Sequence, residues 1–390
     1  MEFAFSDEQE MIRASAEGLL ADVSDSAAVR AAMVSERGFD EALWQRLCQE
    51  MCWPAIHIPE AYGGLGLGFV ELAILLEQMG RRLLCSPFFA TACMATPALL
   101  LAANDEQKQR WLPSIADGSL TATLAFSSAN GWSASDVQAT AVAEGDGFVL
   151  DGTLKHVVDG HGADLLIIAA RQPGSTGEAG ISLFAVDAAW AGIERQMLPT
   201  MDQTRRQARI ELKGLYLEAD CLLGTFGKGW THLEQVLQLA CIGLAAEQTG
   251  GAQQVLDLSV AYMQERQQFG RPIASFQALK HRAADMMLQV ECARSACYYA
   301  ACVAQEALDP RGDADVAGEL PLAAALAKAQ CSETFFHCAC ESIQLHGGVG
   351  FTWEYDPHLY FKRARASESF LGLPALHRER IAAVILGEQP

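Results

Sequence analysis

Long apolar runs, basic charge and paired-cysteine motifs are all scarce in this chain, and each scarcity closes a class of function. The longest apolar stretch, Ala90 to Ala103, is too short for a bilayer and is broken by Pro97, so no membrane span is expected. Lysine and arginine number 28 against 48 acidic residues, a formal net charge of −20. No general field can therefore hold nucleic acid or an anionic membrane, and an anionic ligand needs a local basic pocket. The twelve cysteines include no Cys-x-x-Cys pair, and their spacings (Cys48 and Cys52, Cys292 and Cys297, Cys338 and Cys340) give no zinc set. A chain of 390 residues is no small disulfide framework either, so reduced thiols in the cytoplasm are expected. Charged residues make up only 19% and hydrophobic ones 51%, which excludes a long disordered protein and supplies a large core.

What is present divides into three parts. The opening residues read as a helix entry with Ser6 as N-cap and acids in the first turn, not as a signal or transit peptide. Residues 1–119 are expected to form a helical domain, in which Leu43, Trp44, Leu47 and Met51 recur at helical spacing. The glycine-rich stretch Pro59 to Gly68 matches neither the dinucleotide nor the P-loop fingerprint and is read as a structural loop. Residues 120–227 change to short β-rich runs, Phe148 to Leu150, Leu165 to Ala169 and Ile181 to Val186. Turn clusters at Glu144 to Gly147 and Arg171 to Gly180 separate them. They predict an antiparallel barrel or sandwich and disfavour a Rossmann domain. Residues 228–390 return to helix, as a bundle. A long helix is expected from Ser275, with Phe276, Leu279, Ala283, Met286 and Val290 as its core stripe. Another opens at Pro321 and ends at Gly347-Gly348.

Three segments, in order, carry a family resemblance: Pro59 to Gly68; Arg266 to Ile273 with Phe276-Gln277; and Gln344 to Glu354. With the helix–β–helix layout they make the chain resemble the acyl-CoA dehydrogenase family over its whole length. The resemblance implies an N-terminal helical domain, a central β domain and a C-terminal four-helix bundle, assembled as dimers or tetramers. It also implies FAD held between subunits and a place in lipid metabolism. In that family a carboxylate takes the α-proton of an acyl-CoA thioester while the β-hydrogen leaves as hydride to the flavin, and electrons pass to electron-transferring flavoprotein. The weakly acidic α-proton demands a desolvated base and a polarised thioester carbonyl.

Carried over residue by residue, the resemblance is uneven. Arg266 matches the pyrophosphate arginine, suited to bidentate phosphate binding. Phe269 matches the aromatic packed on the cofactor, Gln277 follows at the family spacing, and Gln344, Gly347 and Gly348 match the adenosine turn. These form the half-site that one subunit donates to its neighbour. On the subunit's own flavin side the family reads Tyr-x-x-Thr-Glu-Pro-x-x-Gly-Ser-Asp where this chain has Phe126 to Asp136, so Ser135 and Asp136 survive and the Thr-Glu-Pro core does not. His156 stands at the aromatic wall and Val158 at the threonine whose hydroxyl meets the isoalloxazine, a hydrogen bond valine cannot donate. The two positions for the base are held by Leu371 and Ala240, the latter followed by Cys241. Glu247 and Glu368 are the weak candidates for a substitute. The blander reading makes Glu247 a satisfied helix carboxylate and pairs Glu368 with Arg363 or Arg365. His346 is read as a phosphate donor or a helix-end cation, Arg205 and Arg206 as CoA ligands or solvated surface, and His337, Cys338 and Cys340 as packing rather than metal ligands.

The expected function is thus an FAD-dependent acyl-CoA dehydrogenase, with this chain contributing half of the FAD site in a hetero-oligomer whose second, related chain carries the base. The alternatives are a self-sufficient homo-oligomeric enzyme with a non-standard carboxylate, a flavin-dependent monooxygenase on the same fold, and a non-enzymatic homologue.

Overall fold

The computed structural model describes residues 5–128 and 131–387, which fall into two compact units. One comprises the chain up to Ala31, Phe69–Leu84 and everything from Cys241 on; the other comprises Ala32–Gly68 and Cys85–Ala240. The chain begins with α1 (Asp7–Val23), α2 (Ser26–Val34), α3 (Glu41–Gln49), α4 (Phe69–Arg81), α5 (Thr96–Ala102) and α6 (Asp105–Ala116). Eight strands follow: β1 (Ala122–Ala125), β2 (Thr140–Glu144), β3 (Gly147–Val158), β4 (Leu165–Arg171), β5 (Ile181–Asp187), β6 (Ile193–Met197), β7 (Gln207–Glu218) and β8 (Leu222–Leu223). Next are α7 (Trp230–Glu265), a hairpin of β9 (Gln267–Gln268) and β10 (Arg271–Pro272), α8 (Gln277–Leu308), α9 (Ala314–Ala317), α10 (Leu320–His346), α11 (Pro357–Ser369) and α12 (Pro374–Leu386).

In the helical unit, Ser6 caps α1 as the sequence predicts, its hydroxyl accepting from Gln9 N while Gln9 Oε1 accepts from Ser6 N. Residues 1–4 of that opening segment lie outside the described residues. Helix α10 packs against α8, α11 and α12, and its alanines let it be buried on several faces at once. Helices α4 and α7 approach through glycine. A Cβ on Gly80 would collide with Glu247 O, and one on Gly250 with Glu77 O. Helix α8 begins at Gln277 rather than at Ser275, whose hydroxyl donates to Pro272 O at 2.7 Å and closes a 3₁₀ turn instead of capping the helix. Of its expected stripe Met286 and Val290 are fully buried, whereas Phe276 and Leu279 stay half-exposed.

In the other unit the glycine-rich loop is structural. The amides of Leu65, Gly66 and Leu67 donate to the carbonyls of Ala55, Ile58 and Ile56, which leaves them unable to cradle a phosphate. The sheet has the order β6-β7-β3-β2-β4-β5-β8, with β1 on β4. Most pairs are antiparallel as expected, including the β2–β3 hairpin turning at Gly145-Asp146. Two are parallel: β1 on β4, and β2 on β4 at a single position. Parallel neighbours need a long connection, which the β2–β3 hairpin and the segment before it supply between β1 and β4. Leu150, Leu154, Leu166, Ile168, Phe184 and Ile210 form the core beneath. Among the described residues no helix is long and apolar enough to cross a membrane.

Candidate cofactor and active site

Helix α7 ends in a rigid reversal. Arg266 N donates to Tyr262 O and Ile273 N to Arg266 O, both at 2.8 Å. Between them the β9–β10 hairpin turns on Phe269 and Gly270, with φ of 53° and 77°, the left-handed pair that a two-residue turn requires. The turn holds the Phe269 ring 90% exposed, edge-on to Phe276 at 6.0 Å, while the Arg271 guanidinium covers Phe276 at 4.2 Å. Arg266 and Gln277 are exposed on either side. At the end of α10, Gly347 adopts φ 63° and ψ −140°, a conformation that excludes a side chain at low cost. A Cβ on Gly347 or Gly348 would meet nothing within 4 Å, so both present bare backbone to open space. Gln344 is exposed one turn earlier. The two ends are joined by Tyr262, stacked on His346 at 4.3 Å. His346 Nδ1 lies 2.7 Å from Ser342 O, and burial lowers its pKa. It is therefore a neutral stacking residue and not the helix-end cation of the sequence reading.

On the ring-side segment, Phe126 and Ser127 are buried after β1, and Lys155 N donates to Ser127 O at 2.9 Å. Ser133 Oγ donates to Asp136 Oδ2 at 2.5 Å and lies 2.7 Å from Ser135 Oγ, so Asp136 is turned inward, where a Cβ on Gly131 would strike its carboxylate. Ser135 is exposed; Ala129 and Asn130, at the lost Thr-Glu positions, lie outside the described residues. Val158 is 1% exposed and its carbonyl accepts from Thr123 Oγ1 at 2.6 Å. His156 sits in a β-bulge opposite β7 with φ 56°, exposed, its Nδ1 3.0 Å from Gln207 Oε1.

The two base positions carry no titratable carboxyl. Ala240 is fully buried. Leu371 is 4% exposed with φ 59°, and its carbonyl oxygen lies 3.0 Å from His377 Nε2 and 3.9 Å from Cys241 Sγ. Burial pushes the Cys241 thiol up to about 12, so it offers no thiolate at neutral pH. The candidate substitutes are paired: Glu247 lies 3.9 Å from Arg363, both buried, and Glu368 bonds Arg365.

Arg206 is not solvated surface. Its guanidinium clasps the chain after α2 through the carbonyls of Met33, Ser35 and Glu36. Arg205 lies over the buried Phe89 ring at 4.5 Å. Among the described residues no His, Cys, Asp and Glu cluster could hold a metal, and Cys338 is buried in the bundle. The sequence reading missed Lys328, wholly buried on α10 beside the Leu371 turn, and Gln207, which holds His156. The one available signal was a lysine alone in an apolar run, Leu320 to Ala329.

The α7 and α10 ends offer what the anionic half of a dinucleotide needs: an exposed guanidinium, an exposed ring and bare glycine backbone. The ring-side segment offers no side-chain donor at Val158, and it does not fit the isoalloxazine contact made there. Residues 6–119 match the model of the acyl-CoA dehydrogenase N-terminal domain and residues 227–386 that of the C-terminal domain. The chain is 36% identical over 368 residues to acyl-CoA dehydrogenase IpdE2 of Mycobacterium tuberculosis, covering 94% of each. Its fold is similar to the ChsE4-ChsE5 complex of the same organism (26% identity, TM-score 0.87, all of both chains). It is similar also to the Tcur3481-Tcur3483 steroid ACAD (30% identity, TM-score 0.83, 98% of both chains). The chain belongs to the acyl-CoA dehydrogenase family, FAD-dependent oxidoreductases acting on the CH–CH bond of acyl-CoA.

Proposed function

We propose that this chain is the FAD-contributing subunit of a hetero-oligomeric acyl-CoA dehydrogenase, acting on a bulky, ring-bearing acyl-CoA and passing electrons to electron-transferring flavoprotein in the cytoplasm. One asymmetry carries the reading: the donated half-site is exposed and chemically complete, while the turn that should present the base holds Leu371. Bound FAD supplies the two-electron acceptor for α,β-desaturation. Toward it, Arg266 neutralises the pyrophosphate, Phe269 lays its exposed ring on the cofactor, and Gln277 and Gln344 offer amides. Gly347 and Gly348 let the backbone approach the adenosine. Phe126, Ser135 and Val158 stand at the ring-side positions, but Val158 donates nothing, so the ring-side hydrogen bond and the proton-abstracting carboxylate come from the second chain.

The self-sufficient reading needs Glu247 or Glu368 as the base. Both carboxylates are already engaged, Glu247 with the buried Arg363 and Glu368 with Arg365, which weighs against either as the base. The two-chain names of ChsE4-ChsE5 and Tcur3481-Tcur3483 support a paired assembly, and the steroid substrate class of the latter supports a ring-bearing acyl group.

The test is the flavin-to-chain ratio of the chain purified alone, followed by an anaerobic panel of straight-chain and alicyclic acyl-CoAs. The chain alone is expected to be substoichiometric in FAD and unbleached. Co-expression with a glutamate-bearing family member should restore both flavin and bleaching. One FAD per isolated chain, reduced by acyl-CoA, would overturn the proposal.

A further inference from the structure

Lys328 has 0% exposure, and what surrounds its ammonium is unusual. Among the described residues it forms no salt bridge: Nζ donates to Ser332 Oγ at 2.9 Å, Ser367 O at 3.3 Å, Glu368 O at 3.1 Å and Gly372 O at 3.0 Å. Three of these four acceptors are backbone carbonyls of the turn that ends α11. The fourth, Ser332, is itself held by Gln248 of α7, whose Nε2 lies 3.0 Å away. A further carbonyl of the turn, Leu371 O, faces His377 Nε2 of α12 at 3.0 Å and Cys241 Sγ of α7 at 3.9 Å. Within this turn Leu371 and Gly372 have φ of 59° and 101°, and a leucine seldom adopts the first without being forced.

A buried cation is costly to take out of water. Glu368 pairs its side chain with Arg365, accepts from Lys328 through its backbone carbonyl, and attracts the ammonium only at longer range. Burial pushes the Lys328 pKa down to about 8, which still leaves the ammonium mostly charged at neutral pH. What the ammonium secures is geometry: its three N–H groups are shared among the Ser332 hydroxyl and three carbonyls of one turn. We propose that Lys328 is a positioning residue, a buried ammonium clamp that gathers the carbonyls of Ser367, Glu368 and Gly372 and so holds Leu371 in its left-handed conformation against α7 and α12. The clamp is a property of this chain whether or not the partner-subunit reading holds.

Hydrogen exchange of the intact chain tests it. In Lys328→Met, which keeps the volume and removes the donors, exchange across residues 368–373 should rise at least tenfold while α8 and the rest of α10 exchange as in the wild type. Lys328→Arg, which keeps a charged donor, should recover most of the protection, a rescue that volume alone does not explain. Unchanged exchange in the turn would overturn the proposal. A uniform rise across the bundle would overturn it too, making Lys328 a stability residue only. Should Lys328→Met not accumulate folded, Ser332→Ala decides: a threefold or larger rise confined to the turn supports the clamp, and a change elsewhere or none removes it.

Discussion

Arg363 on α11 approaches Glu247 on α7 to 3.9 Å, with both side chains buried. The pair separates two readings of Glu247. As a structural partner it pairs with a buried guanidinium, and Glu247→Gln breaks that buried ion pair at a cost of about 3 kcal/mol. As a base it would be needed for flavin reduction and not for folding. The expected outcome is a lower Tm for Glu247→Gln, with any surviving folded fraction in the assembled enzyme still reduced by acyl-CoA. Loss of reduction at wild-type Tm would restore Glu247 as the base.

The crossing of α4 and α7 beside that pair leaves no room for side chains. A Cβ on Gly80 or Gly250 would strike the carbonyl of Glu247 or Glu77, and backbone cannot yield as a flexible side chain can. Glu77 is also bonded by Arg294 and Tyr298, so spreading the helices would strain a buried polar cluster. Gly250→Ala and Gly80→Ala should each cost about 2–3 kcal/mol, read as a drop in denaturation midpoint. Gly145→Ala in the β2–β3 turn meets nothing within 4 Å, though its φ of 59° adds a smaller local cost.

The parts legible in the sequence were those with a local cause. Ser6 announces a helix cap, Gly145-Asp146 a hairpin and Gly347 a helix end. What was not legible depends on chain segments far apart in sequence. Lys328 draws no notice in the sequence because its partners are three carbonyls that only α11 and the turn after it bring together. Arg206 reads as solvated until the end of α2 is seen beneath its guanidinium. The parallel pairing of β1 with β4 has no periodicity that differs from an antiparallel one. Ser275 is expected to open the long helix and instead closes the turn before it.

Two buried histidines should make the fold acid-sensitive. Burial pushes His57 and His377 down from 6.5 to about 4, Lys328 adding to the effect at His377. In the unfolded chain each takes a proton near pH 6.5, in the folded chain only near pH 4. The stability each contributes is therefore fully present above pH 6.5 and is lost as pH falls through about 4. The shifts correspond to about 3 kcal/mol apiece. Urea midpoints measured from pH 7 to pH 4 should fall steeply, and His57→Gln and His377→Gln should each flatten that fall. An equal slope in wild type and variants would assign the acid limb to the carboxylates instead.

The donated half-site predicts variants that are stable and yet cofactor-poor. Phe269 is 90% exposed and Arg266 is exposed beside it, so truncating either removes little that the isolated chain buries; Phe269→Ala and Arg266→Ala should keep the unfolding free energy within about 0.5 kcal/mol of wild type. Under the proposed function both groups would meet a cofactor held by a neighbouring chain. A lost charged phosphate contact is worth roughly 1.5–3 kcal/mol, or about 10- to 150-fold in FAD affinity. Arg266→Lys should recover part of the loss, because a lysine keeps the charge but not the bidentate fork. The check is flavin retained after dialysis of the co-purified complex, set beside the Tm of the isolated variant chain. Wild-type retention in Arg266→Ala would mean that this chain donates nothing to the pyrophosphate, and the subunit role would fall with it.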